Sequence, residues 1–179
     1  MVKKAVFLDR DGVINIDYGY VYRIRDFKFN DGIFCLASKA VNEGYHLIVV
    51  TNQAGIARGY YTENDFFKLS TWMCGEFQKN GSPISKVYFA PTHPIEGFGK
   101  YKITDNRRKP KPGMILEAAS EFNLDLKKSV LIGDKRTDVV AGLSAGVGYN
   151  ILIGSPDDVI DLGDTVKAVS SLGQAELYI

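Results

Sequence analysis

Five short apolar runs, each followed by a longer segment with helical spacing, set the architecture open to this chain. Ala5–Leu8, His46–Val50, Lys86–Ala90, Ser129–Ile132 and Asn150–Ile153 are rich in Val, Ile, Leu, Tyr and Phe and have the length of strands. Between them, Ile33, Leu36, Ala37, Ala40 and Val41 form an apolar stripe that Gly44 stops. Thr62 and Asp65 read as a capping pair ahead of Phe66, Leu69, Trp72, Met73 and Phe77. Pro112 opens a third helix through Phe122, and Thr137–Ala145 is a fourth that ends at Gly146. Strands alternating with helices predict a three-layer, doubly wound α/β fold, with a parallel sheet covered on both faces and right-handed crossovers. The loops are short and leave no large cap, so residues 1–179 are expected to form one domain. Asp157–Ile179 is weakly patterned, and one short helix is expected around Val166–Leu172.

Composition narrows the class. Apolar residues make up 45% and charged residues 24% of 179, the balance of an ordinary soluble chain long enough for a full core. A formal net charge of +1 argues against a generally basic nucleic-acid binder and against an acidic tail. Cys35 and Cys74 stand alone and read as small buried apolar residues of a reducing compartment. Met1-Val2-Lys3-Lys4 and the four apolar residues before Asp9 are too short for a secretory leader, and no stretch approaches a membrane span. A cytoplasmic monomer without nucleic-acid or membrane partners is the expectation.

Open α/β sheets bind ligands at the carboxyl ends of their strands, and there the unusual residues fall. The first run ends in Asp9-Arg10-Asp11-Gly12, the second in Thr51, the fourth in Gly133-Asp134, and Lys109 precedes the third helix. Each alone has an ordinary explanation: an Asp-Gly turn, a polar loop, a solvated basic segment. Their convergence on one edge has none. Asp9, Asp11 and Asp134 brought together would repel strongly unless a hard dication sits among them, and oxygen ligands suit magnesium. Asp138 stays open between a helix cap and a group that orients the metal ligands.

The loop Thr51–Gly59 offers a hydroxyl and free backbone N–H groups to phosphoryl oxygens, and Arg108-Lys109 adds fixed cations. Enzymic acceleration of phosphate-monoester hydrolysis reaches ~10²¹-fold, roughly 29 kcal/mol, more than one acid or one cation supplies. A nucleophile, a metal, a lysine and a proton donor acting together reach it. On these residues Asp9 attacks phosphorus, Asp11 protonates the leaving oxygen and then activates water, Lys109 offsets charge and Thr51 anchors the phosphoryl group.

These strings resemble the haloacid-dehalogenase (HAD) superfamily, whose first motif is the Asp-x-Asp-Gly of Asp9–Gly12. Thr51, Lys109 and Gly133-Asp134 with Asp138 match motifs two to four in order. Asp17–Val21, Thr51–Gly59, Arg108-Lys109-Pro110 and Gly133-Asp134-Lys135 place the resemblance in the branch of heptose-bisphosphate and histidinol-phosphate phosphatases, up to about Gly148. The resemblance implies a HAD-like fold and a magnesium-dependent phosphatase acting on a small phosphorylated sugar. It implies that Asp9, Asp11 (through its main-chain carbonyl) and Asp134 hold the metal. By the same resemblance Asp17, Tyr18, Gly19 and Tyr20, then Thr51, Asn52, Gln53 and Ala54, contact the substrate. Arg108, Lys109 and Lys135 complete that set, with Arg108 gripping the far phosphate, although the tyrosines could equally pack over the sheet. Many relatives carry a zinc loop of Cys and His before motif three. Here that stretch reads Phe89-Ala90-Pro91-Thr92-His93-Pro94 and Thr104-Asp105-Asn106-Arg107-Arg108, without cysteine, so no zinc is expected. Packing of Phe98 and Tyr101, or the substrate, is then expected to order Ile95–Asn106. A non-catalytic phosphate-binding domain remains the reading of a different class, and the Asp9-x-Asp11 pair counts against it.

Overall fold

In the computed structural model, which describes residues 3–163 and 165–179, the alternating runs form one six-stranded parallel sheet. Met1 and Val2, on which the leader reading partly rests, lie outside the described residues. The strands are β1 (Lys4–Leu8), β2 (Tyr45–Asn52), β3 (Ile84–Ala90), β4 (Val130–Gly133), β5 (Tyr149–Ile153) and β6 (Val166–Val169). Their order is β3-β2-β1-β4-β5-β6, every pair parallel. The order reverses beside β1, so β1 and β4 flank the switch point where such sheets bind ligands.

Side-chain parity explains why the strands are apolar throughout. Val6 and Leu8 face one layer, whereas Ala5 and Phe7 face the other. The first layer packs on α1 (Ile33–Asn42) and on Leu69, Met73 and Phe77 of α3 (Glu63–Lys79), which follows the one-turn α2 (Ala54–Ala57). The second packs on Met114, Ile115 and Ala118 of α4 (Gly113–Phe122) and on Val139 and Ala141 of α5 (Arg136–Ala145). The capping pair at Thr62 is present: Asp65 N donates to Thr62 Oγ1 at 3.2 Å and Thr62 N to Asp65 Oδ2 at 3.0 Å. No helix among the described residues is long and apolar enough to cross a membrane.

Three expectations need correction. Val166–Val169 is strand β6, and the helix begins later, as α6 (Leu172–Ala175). The reason is tertiary: Asn150–Ile153 offers an open edge, and Val166 and Val169 bury against opposite layers. Cys35 is exposed and Cys74 only partly covered, because the buried stripe of α1 runs through Ile33, Leu36, Ala37 and Ala40 and leaves Cys35 off it. Phe98 is 71% exposed and packs nothing into order. Segment 91–106 is tied by hydrogen bonds: Thr92 Oγ1 to Asp105 Oδ2 at 3.2 Å, and His93 N to Tyr101 O at 3.0 Å. Tyr101 does contribute as expected, packing near Ile56, Tyr61 and Phe66 while its hydroxyl donates to Glu63.

Candidate active site

The site is built where β1, β2 and β4 end. Asp9 follows β1 directly, its N–H donating to Ile132 O of β4 at 3.0 Å, which continues the sheet ladder to the last useful residue. The chain then winds tightly, with Ile14 N and Asn15 N both donating to Arg10 O. Gly12 makes this turn possible. Its φ is +94°, and a Cβ there would lie 2.1 Å from Asp134 Oδ2. The absence of a side chain at Gly12 is therefore what lets Asp134 approach Asp9. Gly133 does the same for Asp138, whose Cβ would stand 2.2 Å from an added one.

Lys109 is the hub. It is buried, and its Nζ lies 2.9 Å from Asp9 Oδ1, 2.6 Å from Asp138 Oδ1 and 2.8 Å from Val50 O. Asn52 fixes its main chain from both sides, accepting from Lys109 N and donating to Lys109 O, each at 3.0 Å. Asp138 takes the capping role: Oδ2 caps α5 by accepting from Lys135 N at 2.9 Å, while Oδ1 holds Lys109. Thr51 is buried, and its Oγ1 accepts from Gln53 Nε2 at 2.8 Å.

Asp9, Asp134 and Asp138 offer carboxylate oxygens within 4.8 Å of one another. Asp134 Oδ1 is buried and unpartnered among the described residues. Burial pushes Asp9 up to about 7; Lys109 opposes the rise, and Asp138 and Asp11 add to it. Burial likewise pushes Asp134 up to about 6, against Lys135 and with Asp138. Burial alone would lower Lys109, but Asp138 and Asp9 outweigh it and hold the ammonium above its ordinary range. Three acids, one bare buried oxygen, the buried Lys109 and the half-exposed Lys135 3.9 Å from Asp134 fit a hard divalent ion.

Two consequences are measurable. In the metal-free protein Asp9 and Asp134 hold more protons in the folded state than in the unfolded chain between about pH 4, near the ordinary carboxylate value of 3.8, and about pH 7. Ionising Asp9 and Asp134 thus destabilises the fold progressively as pH rises through that window, and a bound dication removes the penalty. The rise in melting temperature on adding magnesium is expected to be larger at about pH 8 than at about pH 5; equal rises would contradict the cluster. Gly12→Ala is expected to weaken magnesium binding roughly 10- to 100-fold, with activity partly restored by excess magnesium, measured by titration calorimetry and phosphate release.

A cleft of about 500 Å³ opens on this cluster. It takes in Asp9, Asp11, Thr51 and Lys109, the four residues expected to be catalytic. From the expected substrate set it also takes in Asp17, Gly19, Tyr20, Asn52, Ala54, Arg108 and Lys135. Two expected contacts stand elsewhere. Tyr18 is 64% exposed along a neighbouring groove with Arg25 and Lys28. Gln53 is buried behind the cleft, where Nε2 reaches Asp11 Oδ2 at 3.1 Å and Oε1 accepts from Tyr61. Lys135 Nζ meets Asp17 Oδ2 at 3.0 Å, which joins the α5 entrance to the 17–20 loop. Burial works against the Asp17 carboxylate, yet bonds from Lys135 and Gly19 N hold it below its ordinary range.

Sequence reasoning missed Arg10, Asn15, Tyr61 and Arg58. Arg10 is buried, and its Nη2 donates to both oxygens of Asp11 (2.8 and 2.9 Å) and to Val21 O. Asn15, also buried, donates to Asp11 Oδ1 at 3.1 Å. Asp11 is thereby fixed from three sides, by Arg10, Asn15 and Gln53. The Asn at the end of Asp9–Asn15 was the available signal, since a buried amide after an acidic turn has donors to place.

A family model described as HAD-hydrolase-like matches residues 106–153. Over 153 residues the chain is 60% identical to the D-glycero-alpha-D-manno-heptose-1,7-bisphosphate 7-phosphatase of Burkholderia mallei (strain ATCC 23344), covering 86% of this chain and 81% of that protein. It is 44% identical over 169 residues to the D-glycero-beta-D-manno-heptose-1,7-bisphosphate 7-phosphatase of Vibrio cholerae serotype O1, covering 94% and 91%. Among solved structures, a Mesorhizobium loti protein described as a HAD-like phosphatase superposes with a TM-score of 0.89 at 31% identity, covering 99% of this chain and 86% of that one.

Proposed function

This chain belongs to the D-glycero-D-manno-heptose-1,7-bisphosphate 7-phosphatases of the HAD-like hydrolases, and from that membership we propose that it hydrolyses the C7 phosphate of D-glycero-α-D-manno-heptose 1,7-bisphosphate with magnesium as cofactor. The observation that carries the reading is the contact of Asp9 with buried Lys109, beside two further carboxylates, at the floor of the cleft. The α anomer is favoured because the relative named for it shares 60% identity, against 44% for the relative named for the β anomer.

Asp9 Oδ1 is occupied by Lys109 Nζ at 2.9 Å and Arg10 N at 2.7 Å, which leaves Oδ2 to attack phosphorus. The P–O bond to C7 breaks as the Asp9–phosphorus bond forms, and Asp11 gives its proton to the departing sugar oxygen. Asp11 then takes a proton from water, whose oxygen displaces Asp9 from phosphorus and releases inorganic phosphate. Thr51 Oγ1 accepts from Gln53, so the hydroxyl hydrogen of Thr51 is free to point at a phosphoryl oxygen. Arg108 would hold the phosphate that stays, a reading supported by its place on the cleft and by Nη1 donating to Thr92 O at 3.0 Å. Asp9, Asp134 and the Asp11 main-chain carbonyl would hold magnesium, with Asp138 orienting them, and the ion supplies positive charge beside the phosphoryl oxygens. For segment 91–106 we propose order without zinc; one tightly held zinc per chain by elemental analysis would overturn that.

Phosphate release from both anomers of heptose 1,7-bisphosphate and from histidinol phosphate, with magnesium and with a chelator, tests the reading. The α-bisphosphate is expected to have the highest kcat/KM, and chelation is expected to abolish turnover. Preference for histidinol phosphate would refute the substrate assignment.

A further inference from the structure

Arg58 sits at the end of α2 and lines the same cleft as Asp9 and Arg108. Its guanidinium is already engaged from two sides. Nη1 donates to the Tyr20 hydroxyl, and Nη2 pairs with Glu96 Oε2. Its Nε is buried and unpartnered among the described residues. Tyr20 is held with φ at +53°, a conformation that costs a non-glycine residue energy and that recurs at ligand-binding loops. Its phenol is thereby set over the cleft against Arg58 and edge-on to Tyr60, with ring centroids 4.8 Å apart.

Two guanidiniums on one wall are unfavourable without an anion between or beside them. Burial depresses Arg108 below the ordinary arginine range, and the charge of Arg58 adds to the effect. The carboxylate set against them is Glu96, which is 55% exposed, comes from segment 91–106 and lines with Arg58 a neighbouring groove, outside the cleft of Asp9 and Arg108. Glu96 is thus a peripheral anion on a cation that faces the substrate space. Carboxylate and phosphate oxygens suit a guanidinium in the same way, and a phosphate dianion carries the greater charge.

We propose that Arg58 is a second contact for the phosphate that is not transferred, and that Glu96 occupies Arg58 until the bisphosphate displaces it. This rests on the heptose-bisphosphate reading above, and it adds Arg58 and Glu96 to a subsite that otherwise contains Arg108. Glu96 is then a competitor that only a ligand with a second anion has to displace; a ligand with a single phosphate leaves the Arg58–Glu96 pair intact. Substrates with two phosphates are selected by the attraction of Arg58, and Glu96 tempers that gain.

The test compares kcat/KM for heptose 1,7-bisphosphate and for p-nitrophenyl phosphate, which has a single phosphate, in wild type, Arg58→Gln and Glu96→Gln. In Arg58→Gln the ratio of bisphosphate to p-nitrophenyl phosphate is expected to fall about 10- to 100-fold, chiefly through KM for the bisphosphate. Glu96→Gln is expected to raise the ratio about 3-fold or more, a gain that a merely damaged fold does not produce. An equal loss on both substrates in Arg58→Gln, or an unchanged or lower ratio in Glu96→Gln, overturns the proposal. A wild-type preference for the bisphosphate that Arg58→Gln retains undiminished defeats this inference alone. No wild-type preference defeats the substrate reading and this inference with it.

Discussion

Asp9→Asn is expected to lose at least about 10⁴-fold, and up to about 10⁶-fold, in kcat while keeping its fold. The substitution preserves shape and removes the attacking carboxylate oxygen. It also removes a negative charge that burial and the Asp138 and Asp11 carboxylates disfavour. Lys109 keeps Asp138 as a partner at 2.6 Å, so the buried ammonium is not stranded. The melting temperature without magnesium is therefore expected to stay within a few degrees of wild type or to rise. Substantial phosphate release from a folded Asp9→Asn protein would show that another group attacks phosphorus.

Lys109→Met is expected to fail in the opposite way, through stability as well as activity. The ammonium is buried between Asp9 and Asp138, and its methylene stem is matched in volume by methionine. Removing the charge leaves Asp9, Asp134 and Asp138 facing one another, with the half-exposed Lys135, 3.9 Å from Asp134, the nearest remaining cation among the described residues. Breaking a buried pair from one side costs about 3–5 kcal/mol, which for a chain of this size lowers the melting temperature by roughly 10 °C. kcat is expected to fall at least ~100-fold, because charge on the transferred group is no longer offset. The deficit should shrink under acid conditions: once Asp9 and Asp134 are protonated the repulsion within the cluster falls, so the loss measured by urea unfolding is larger at about pH 8 than at about pH 5. Unchanged stability at both pH values would mean that Lys109 is not the charge holding the cluster together.

Much of the site is legible because it needs little tertiary information. A core strand that stops in Asp9-Arg10-Asp11-Gly12 forces its acids to the sheet edge, and the strand-to-helix alternation puts Thr51, Lys109 and Asp134 on that same edge. What stays hidden depends on neighbours distant in sequence. Nothing in the sequence marks Arg10 as buried; it is buried because Asp11, Val21 O and the face of Phe66 (5.9 Å from the guanidinium carbon) receive it. Gln53 looks like a loop amide that meets substrate, but Tyr61 and Asp11 draw it behind the cleft. Val166–Val169 is too short a run to mark a strand by itself, and only the edge of β5 makes it one. The four residues of α2 are fewer than a helical period can reveal. Arg58 lies inside the quoted Thr51–Gly59 string, but nothing in that string distinguishes a cation facing the cleft from one facing water.

Chemical trapping of the enzyme during a single turnover tests the assignment of Asp9 most directly. Mixing the protein with magnesium and substrate, quenching in acid and reducing with borohydride converts an acyl phosphate into an alcohol, which for aspartate leaves homoserine at that position. Peptide mass spectrometry is expected to find homoserine at position 9, dependent on both substrate and magnesium. Reduction at a different residue, or none at all while phosphate is still released, would contradict attack by Asp9.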